Sequence, residues 1–278
     1  MKLKLWQVDA FAQRRFQGNP AAVVPLEEWL SDATLQAIAA ENNLSETAFL
    51  VARAPGNFDL RWFTPTIEVP LCGHATLASG WVVLNEFSPE SDVVRFQTKS
   101  GELTVRRGGD GGRLQMSLPS GRVEPFAAPQ GFAKDLGQSM GVAPPSEIHI
   151  ASAGAAGMPG ILAIWPEADV RSMRLSGMLV DVLARAGAAG LIATAKGDGA
   201  PYDFVSRFFV PGKGVPEDPV TGSAHASLTP FWAKRLGKRT LRAYQASARG
   251  GDLLCSEEGE RVTLSGRCAL YLKGEIEI

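Results

Sequence analysis

An α+β fold is predicted, built as two similar halves that each set short strands around a buried helix, and three observations predict it. Thirty glycines and 18 prolines cut the chain into many short apolar runs, the texture of a strand-rich fold with few helices. The strand-like run Arg61-Trp62-Phe63-Thr64-Pro65 returns in the second half as Arg207-Phe208-Phe209-Val210-Pro211. After each run comes a loop and then a glycine opening a small-residue helix, Gly73-His74-Ala75-Thr76-Leu77 and Gly222-Ser223-Ala224-His225-Ala226.

The elements follow from patterning. Residues 2–11 alternate as a first strand, Gly18-Asn19-Pro20 reads as a turn, and Ala21–Val24 as a second strand. Ser31 is a suitable N-cap for a helix to about Asn42, with Leu35, Ile38 and Ala39 on one face. Strands are expected at 47–53 and 58–63, then a meander at 92–98, 102–107 and 113–118 with 108–112 as a hairpin tip. In the second half, strands are expected at 161–165, 190–195, 202–210, 241–244, 252–257, 261–265 and 268–273. Helices are expected at 176–186 and 224–236, the latter closed by Gly237. Pro230 lies inside that last helix and should kink it. The Pro/Ala/Gly-rich stretch 119–131 reads as a linker, which divides the chain into domains 1–120 and 121–278, with the final strand, about 268–278, returning to the first domain.

Composition narrows the function classes. The 278 residues are 45% hydrophobic and 21% charged, enough for one large or two modest cores. A formal charge of −1 and the absence of a Lys/Arg block argue against a nucleic-acid partner. No apolar run approaches the ~18 residues of a membrane span, and the alternating start lacks a secretory core. Three cysteines without C-x-x-C spacing fit a reducing compartment, so a cytoplasmic enzyme or binding domain is expected.

No cofactor or metal motif is present. His74, His149 and His225 have no metal-ligand spacing with the cysteines, no G-x-S-x-G elbow exists, and the glycine-rich 154–160 is neither a P-loop nor a dinucleotide fingerprint. Acid/base side chains are what remain. The helix after Gly73 has little polar surface, which predicts burial on all sides. Its start, like that of the helix after Gly222, would present backbone N–H groups to a ligand carboxylate in a cleft between the domains. Glu46, in Asn43-Leu44-Ser45-Glu46-Thr47, stands at a helix-to-strand junction, where partial desolvation would suit a carboxylate to proton transfer and full solvation would make it ordinary. Asp218, before Pro219, reads as either a turn aspartate or a site residue, and His74 as a cap, a core group or a ligand-facing group.

Four motifs in order resemble the PhzF (phenazine biosynthesis-like) family over the whole chain. They are Asp9-Ala10-Phe11 with Gly18-Asn19-Pro20-Ala21-Ala22-Val23, Asn43-Leu44-Ser45-Glu46-Thr47, Phe63-Thr64-Pro65 with Glu68-Val69-Pro70-Leu71-Cys72-Gly73-His74, and Glu217-Asp218-Pro219-Val220-Thr221-Gly222-Ser223-Ala224. The resemblance implies a diaminopimelate epimerase-like fold: two pseudo-symmetric domains, each a β-barrel around a central helix. By motif it implies Glu46 as proton carrier with His74 and Asp218 as catalytic partners, and Asn19, Ser45, Gly73, Gly222 and Ser223 around the substrate.

The expected function is a cofactor-independent isomerase that moves a proton within a small, carboxylate-bearing, cyclic metabolite, in a homodimer. An epimerase of amino-acid-like substrates and a non-catalytic binding member are the alternatives. The related epimerases pair one cysteine from each domain; Cys72 stands near the first, but the second half offers Ser223, so two-cysteine racemisation is not expected. Cys72 itself reads as a small buried thiol in preference to a reactive one.

Overall fold

The computed structural model describes residues 1–109, 112–152, 159–199, 201–213 and 215–278, so the centre of the expected hairpin tip and most of the glycine-rich stretch 154–160 lie outside the described residues. The chain divides into two units, residues 1–118 with 263–278 and residues 119–262.

The first unit contains β1 (Lys2–Ala10), β2 (Asn19–Leu26), α1 (Asp32–Asn42), β3 (Glu46–Ala54), β4 (Asn57–Phe63), β5 (Glu68–Val69), α2 (Gly73–Val82), β6 (Val93–Thr98), β7 (Gly101–Arg107) and β8 (Arg113–Pro119). The second contains β9 (Val123–Pro125), α3 (Phe132–Ser139), β10 (Glu147–Ser152), β11 (Pro159–Ile164), α4 (Glu167–Ser172), α5 (Met178–Arg185), β12 (Leu191–Lys196), β13 (Phe204–Val210), β14 (Val215–Asp218), α6 (Gly222–Leu236), β15 (Thr240–Gln245) and β16 (Gly251–Glu258). The last strand, β17 (Arg261–Glu277), lies mostly in the first unit. It is one strand where two were expected.

In the first unit, pairing runs β1-β2-β3-β4-β6-β7-β8-β17 and back to β1, which closes a barrel. A closed barrel leaves no unpaired edge. Helix α2 packs against β1, β2, β3 and β7. Its residues His74 to Gly80 and Val82 are all buried, the burial that its all-round apolar sequence predicts. Outside the barrel, α1 lays Leu35, Ile38 and Ala39 against Phe49 and Phe63. Ser31 caps it, its Oγ accepting from the Thr34 N–H at 3.2 Å. The expected turn at 18–20 is shorter than read: Asn19 and Pro20 already pair with Ala10 and Asp9, so β2 starts at Asn19.

The second unit repeats the wiring of the first. The parallel pair β2–β3 is matched by β11–β12, and the antiparallel pair β3–β4 by β12–β13. In turn, β4–β5 is matched by β13–β14, the parallel pair β4–β6 by β13–β15, and β6–β7 by β15–β16. The registers agree as well. Phe63 pairs with Glu68 and Phe209 with Glu217; Trp62 pairs with Val69 and Phe208 with Asp218. Even one ion pair is repeated: Arg61 binds Glu68 through Nε–Oε1 at 2.8 Å and Nη2–Oε2 at 2.9 Å, and Arg207 binds Glu217 at 2.7 and 2.8 Å through the same atoms. The fold is α+β and diaminopimelate epimerase-like.

Pro230, where a kink was expected, lies inside α6, which is continuous from Gly222 to Leu236. Proline has no N–H to give to the carbonyl four residues back. That carbonyl, Ala226 O, instead accepts from the Gly121 N–H at 3.0 Å, so the polar group is satisfied and the helix continues.

Candidate active site

Glu46 is held by its neighbours in the chain. Helix α1 ends at Asn42, and Asn43 takes the left-handed conformation (φ 47°) that turns the chain towards β3. The Asn42 Nδ2 donates to Thr47 Oγ1 at 3.1 Å, tying the helix end to the strand start. Ser45 and Glu46, both half-buried, lie between these anchors, and Glu46 pairs with Ala21 of β2.

The Glu46 side chain meets His74, around which Asn19 and Cys72 also gather. Its Oε2 lies 3.0 Å from His74 Nε2. That oxygen is buried, and the imidazole, although in contact range, is out of line for a directed hydrogen bond. On the other edge of the ring, Asn19 Nδ2 stands 3.0 Å from His74 Nδ1. With the amide in this orientation the ring proton resides on Nε2, the nitrogen nearer the carboxylate. Cys72 Sγ completes the group at 3.5 Å from His74 Nδ1 and 4.0 Å from Nε2. Asn19, Cys72 and His74 are all buried.

Cys72 is the N-cap of α2 and offers no side-chain hydrogen bond to the helix. The helix start is therefore left to backbone N–H groups and their partial positive charge, with half-buried Gly73 first in line. So the structure brings Glu46, His74 and Asn19 together, sets Ser45 and Gly73 beside them, and adds Cys72. The sequence reading treated Cys72 as packing; its contact with the imidazole comes from His74 turning back over the helix start.

The remaining expected residues, Asp218, Gly222 and Ser223, gather at the start of α6 in the second unit. Asp218 Oδ2 accepts from Thr221 Oγ1, its backbone O accepts from Gln245 Nε2 at 2.7 Å, and Gln245 Oε1 accepts from the Thr221 N–H at 2.8 Å. Gln245 is fully buried, and neither it nor Thr221 was singled out by sequence. The register of the repeat was the signal that could have found Thr221: it precedes Gly222 as Cys72 precedes Gly73, so Thr221, and not Ser223, is the counterpart of Cys72. Ser223 is the counterpart of His74.

His225 belongs to the scaffold. It is wholly buried, its Nδ1 lies 2.8 Å from Thr221 O, and burial pushes its pKa down to about 4, so it is neutral at pH 7. Its counterpart Thr76 bonds Cys72 O in the same way.

A barrel closed around a buried helix, with its strand wiring repeated in a second unit, is the diaminopimelate epimerase-like fold, and here a carboxylate is set against an imidazole at the helix start of the first unit. The model of the phenazine biosynthesis-like (PhzC-PhzF) family matches residues 8–274, and the chain belongs to that family. An uncharacterized isomerase of Pseudomonas aeruginosa is 49% identical over 278 residues, covering 100% of both chains. The phenazine biosynthesis-like domain-containing protein of Rattus norvegicus is 40% identical over 290 residues, covering 99% of each. Among solved structures, a PhzF-family protein of Enterococcus faecalis superposes with a TM-score of 0.88 at 38% identity, covering 100% of both chains. A hydroxyproline epimerase of Agrobacterium vitis superposes with a TM-score of 0.64 at 12% identity, over 99% of this chain and 92% of that one, a likeness of fold alone. Among the described residues no helix is long and apolar enough to cross a membrane.

Proposed function

We propose that this chain is a cofactor-independent isomerase that moves a proton within a small, cyclic, carboxylate-bearing metabolite, with Glu46 as the general acid/base. The observation that carries the reading is the buried Glu46 Oε2 lying 3.0 Å from His74 Nε2. A carboxylate used to take a proton from one carbon and return it at another must be held still, screened from bulk water and not spent in a strong ion pair. The out-of-line imidazole meets that need. It orients the carboxylate and can stabilise its charge while leaving the oxygen able to accept a proton.

The other roles follow from position. His74 positions Glu46 and assists the proton's transit, and Asn19 fixes the imidazole ring. Ser45 and the Gly73 backbone hold polar groups of the substrate. In the second unit, Asp218 is the further catalytic residue, and Gly222 and Ser223 are assigned to substrate binding. The names of the Pseudomonas aeruginosa relative and of the family support the isomerase class. The substrate is assigned by class only, because side chains around a shared site change more readily than the chemistry they surround.

The test is proton exchange. Incubated in deuterated water with a panel of cyclic dihydro-carboxylates, the protein should incorporate solvent deuterium into the substrate that it isomerises, without added cofactor. Binding without exchange across the panel would overturn the assignment in favour of a metabolite-binding role.

A further inference from the structure

We propose that Glu46, Cys72 and His74 form a three-ligand site for a thiophilic divalent cation such as Zn2+. Each supplies a donor atom of the kind such ions take, a carboxylate oxygen, a thiol sulfur and an imidazole nitrogen, and the three atoms lie within 4.8 Å of one another. Tetrahedral coordination at ordinary bond lengths requires ligand-to-ligand edges of about 3.3–3.6 Å. Two edges here bracket that range, 3.0 Å from Glu46 Oε2 to His74 Nε2 and 4.0 Å from His74 Nε2 to Cys72 Sγ. Cys72 Sγ lies nearer His74 Nδ1, at 3.5 Å, so the thiol and the imidazole must turn about their own side-chain bonds to bring all three donors onto one ion.

Charge and surroundings favour the ion. A carboxylate and a thiolate together cancel a divalent charge, so binding leaves no net charge in a largely buried pocket. The start of α2 stabilises the thiolate at its N-cap. Asn19, at 3.0 Å from His74 Nδ1, stands where metal-binding imidazoles keep an orienting partner. With its amide turned over, Asn19 Oδ1 accepts the ring proton at Nδ1 and frees Nε2 for the ion. In the bound state Glu46 serves as the carboxylate, the imidazole proton moves from Nε2 to Nδ1, and the Cys72 thiol gives up its proton to solvent. Three protein ligands leave the fourth position to water, the arrangement of an open site.

Resting on the proposed role of Glu46, this geometry makes the ion an inhibitor, since coordination occupies the oxygen that would take the proton. The binding itself does not depend on that role and is read separately. Metal-free protein, kept reduced with a phosphine, is titrated with Co2+. One ion per chain should bind with a thiolate-to-cobalt charge-transfer band in the near ultraviolet, and Zn2+ should displace it. Cys72→Ala should abolish the band, and Glu46→Gln and His74→Gln should each weaken Co2+ binding at least ~10-fold. Should Cys72→Ala not fold, the two Gln variants decide the matter on the wild-type thiol. No charge-transfer band, a band that survives Cys72→Ala, or unchanged affinity in both Gln variants would overturn the site. A bound ion with this signature while deuterium exchange continues would support the site and count against Glu46 as the acid/base.

Discussion

Gly190 holds in the second unit the sheet position that Glu46 holds in the first. Thr47 pairs with Phe63 and Leu191 with Phe209, which makes their preceding residues, Glu46 and Gly190, counterparts. A side chain has no room there: a Cβ on Gly190 would stand 2.9 Å from Phe209 O and 3.1 Å from the Phe208 ring. The asymmetry is reciprocal, since the counterpart of Asp218 is Val69. Duplication has kept the scaffold, down to the bidentate Arg–Glu pair, and separated the chemistry, with the carboxylate–imidazole contact in one half and the Asp–Thr–Gln network in the other. A mechanism with one dedicated proton carrier suits such a chain better than a symmetric one with an acid and a base from equivalent positions.

Replacing Glu46 by Gln tests this directly. The amide keeps size and most hydrogen bonding but cannot take and return a proton. Deuterium exchange into substrate should fall by ~10²–10⁴, while the melting temperature stays within a few degrees and substrate still binds. Exchange at the wild-type rate would refute the assignment and leave the isomerase reading on family likeness alone.

Asp218 gives a second, independent test. Its carboxylate accepts the Thr221 hydroxyl, and its backbone carbonyl is held by Gln245. Asn at this position can still accept from Thr221 through its amide oxygen, so Asp218→Asn should lower turnover with little loss of stability. Gln245→Ala should do the reverse and destabilise by ~1–3 kcal/mol, because it strands the buried Thr221 N–H. Thermal melts set beside turnover separate the two; a large stability loss in Asp218→Asn with activity intact per folded molecule would make it a structural residue.

Much of this was legible in the sequence. Period and capping placed α1 to within a residue, because Ser31 is a local signal and Leu35, Ile38 and Ala39 share one helical face. The repeat was legible because backbone pairing constrains Arg61-Trp62-Phe63 and Arg207-Phe208-Phe209 in the same way. What could not be read is what depends on distant partners. Cys72 looks like packing until His74 is seen beside it. Thr221 and Gln245 become a pair only once β15 is laid next to β13. Strands as short as β5 carry too few residues to show a period, and β17 looked like two strands because Gly266 interrupts its apolar pattern. The likeness of Glu46 to a proton carrier came from its motif, and its burial against an imidazole came from the fold.

The Arg61–Glu68 pair predicts a pH-dependent stability. The hydrogen bonds from Arg61 first, and then the one from Lys99, hold the Glu68 carboxyl at about 2, below its ordinary 4.5. A carboxyl depressed in the folded state adds stability that is complete above the unfolded value and drains away as pH falls through the folded one. Glu68→Gln should therefore lower the melting temperature at neutral pH, by the equivalent of ~1–3 kcal/mol for a lost charge-assisted bond. The gap to wild type should be constant above about pH 5 and narrow steadily as the pH is taken below 4.5. A gap of the same size at every pH would mean that the pair contributes shape and not charge.

The final prediction concerns Gly121 and Pro230, distant in sequence and joined by one carbonyl. Pro230 removes the donor that would have served Ala226 O, and the Gly121 N–H serves it instead at 3.0 Å. To reach that carbonyl the backbone of Gly121 must pass so close to α6 that a Cβ would lie 2.1 Å from Ser227 Oγ and 2.8 Å from Ser152 O. Ser227 Oγ could rotate away, but only by giving up its own bond to Ser152 O at 2.8 Å, and the backbone oxygen cannot yield. Gly121→Ala should thus displace the segment, strand Ala226 O inside the unit and cost ~1–3 kcal/mol, a fall in melting temperature of several degrees. Pro230→Ala restores an N–H in reach of the same carbonyl, so the double variant should recover part of what Gly121→Ala loses. If the effects of the two substitutions simply add, the carbonyl is not the link between them, and Pro230 must be accommodated by some other adjustment of the helix.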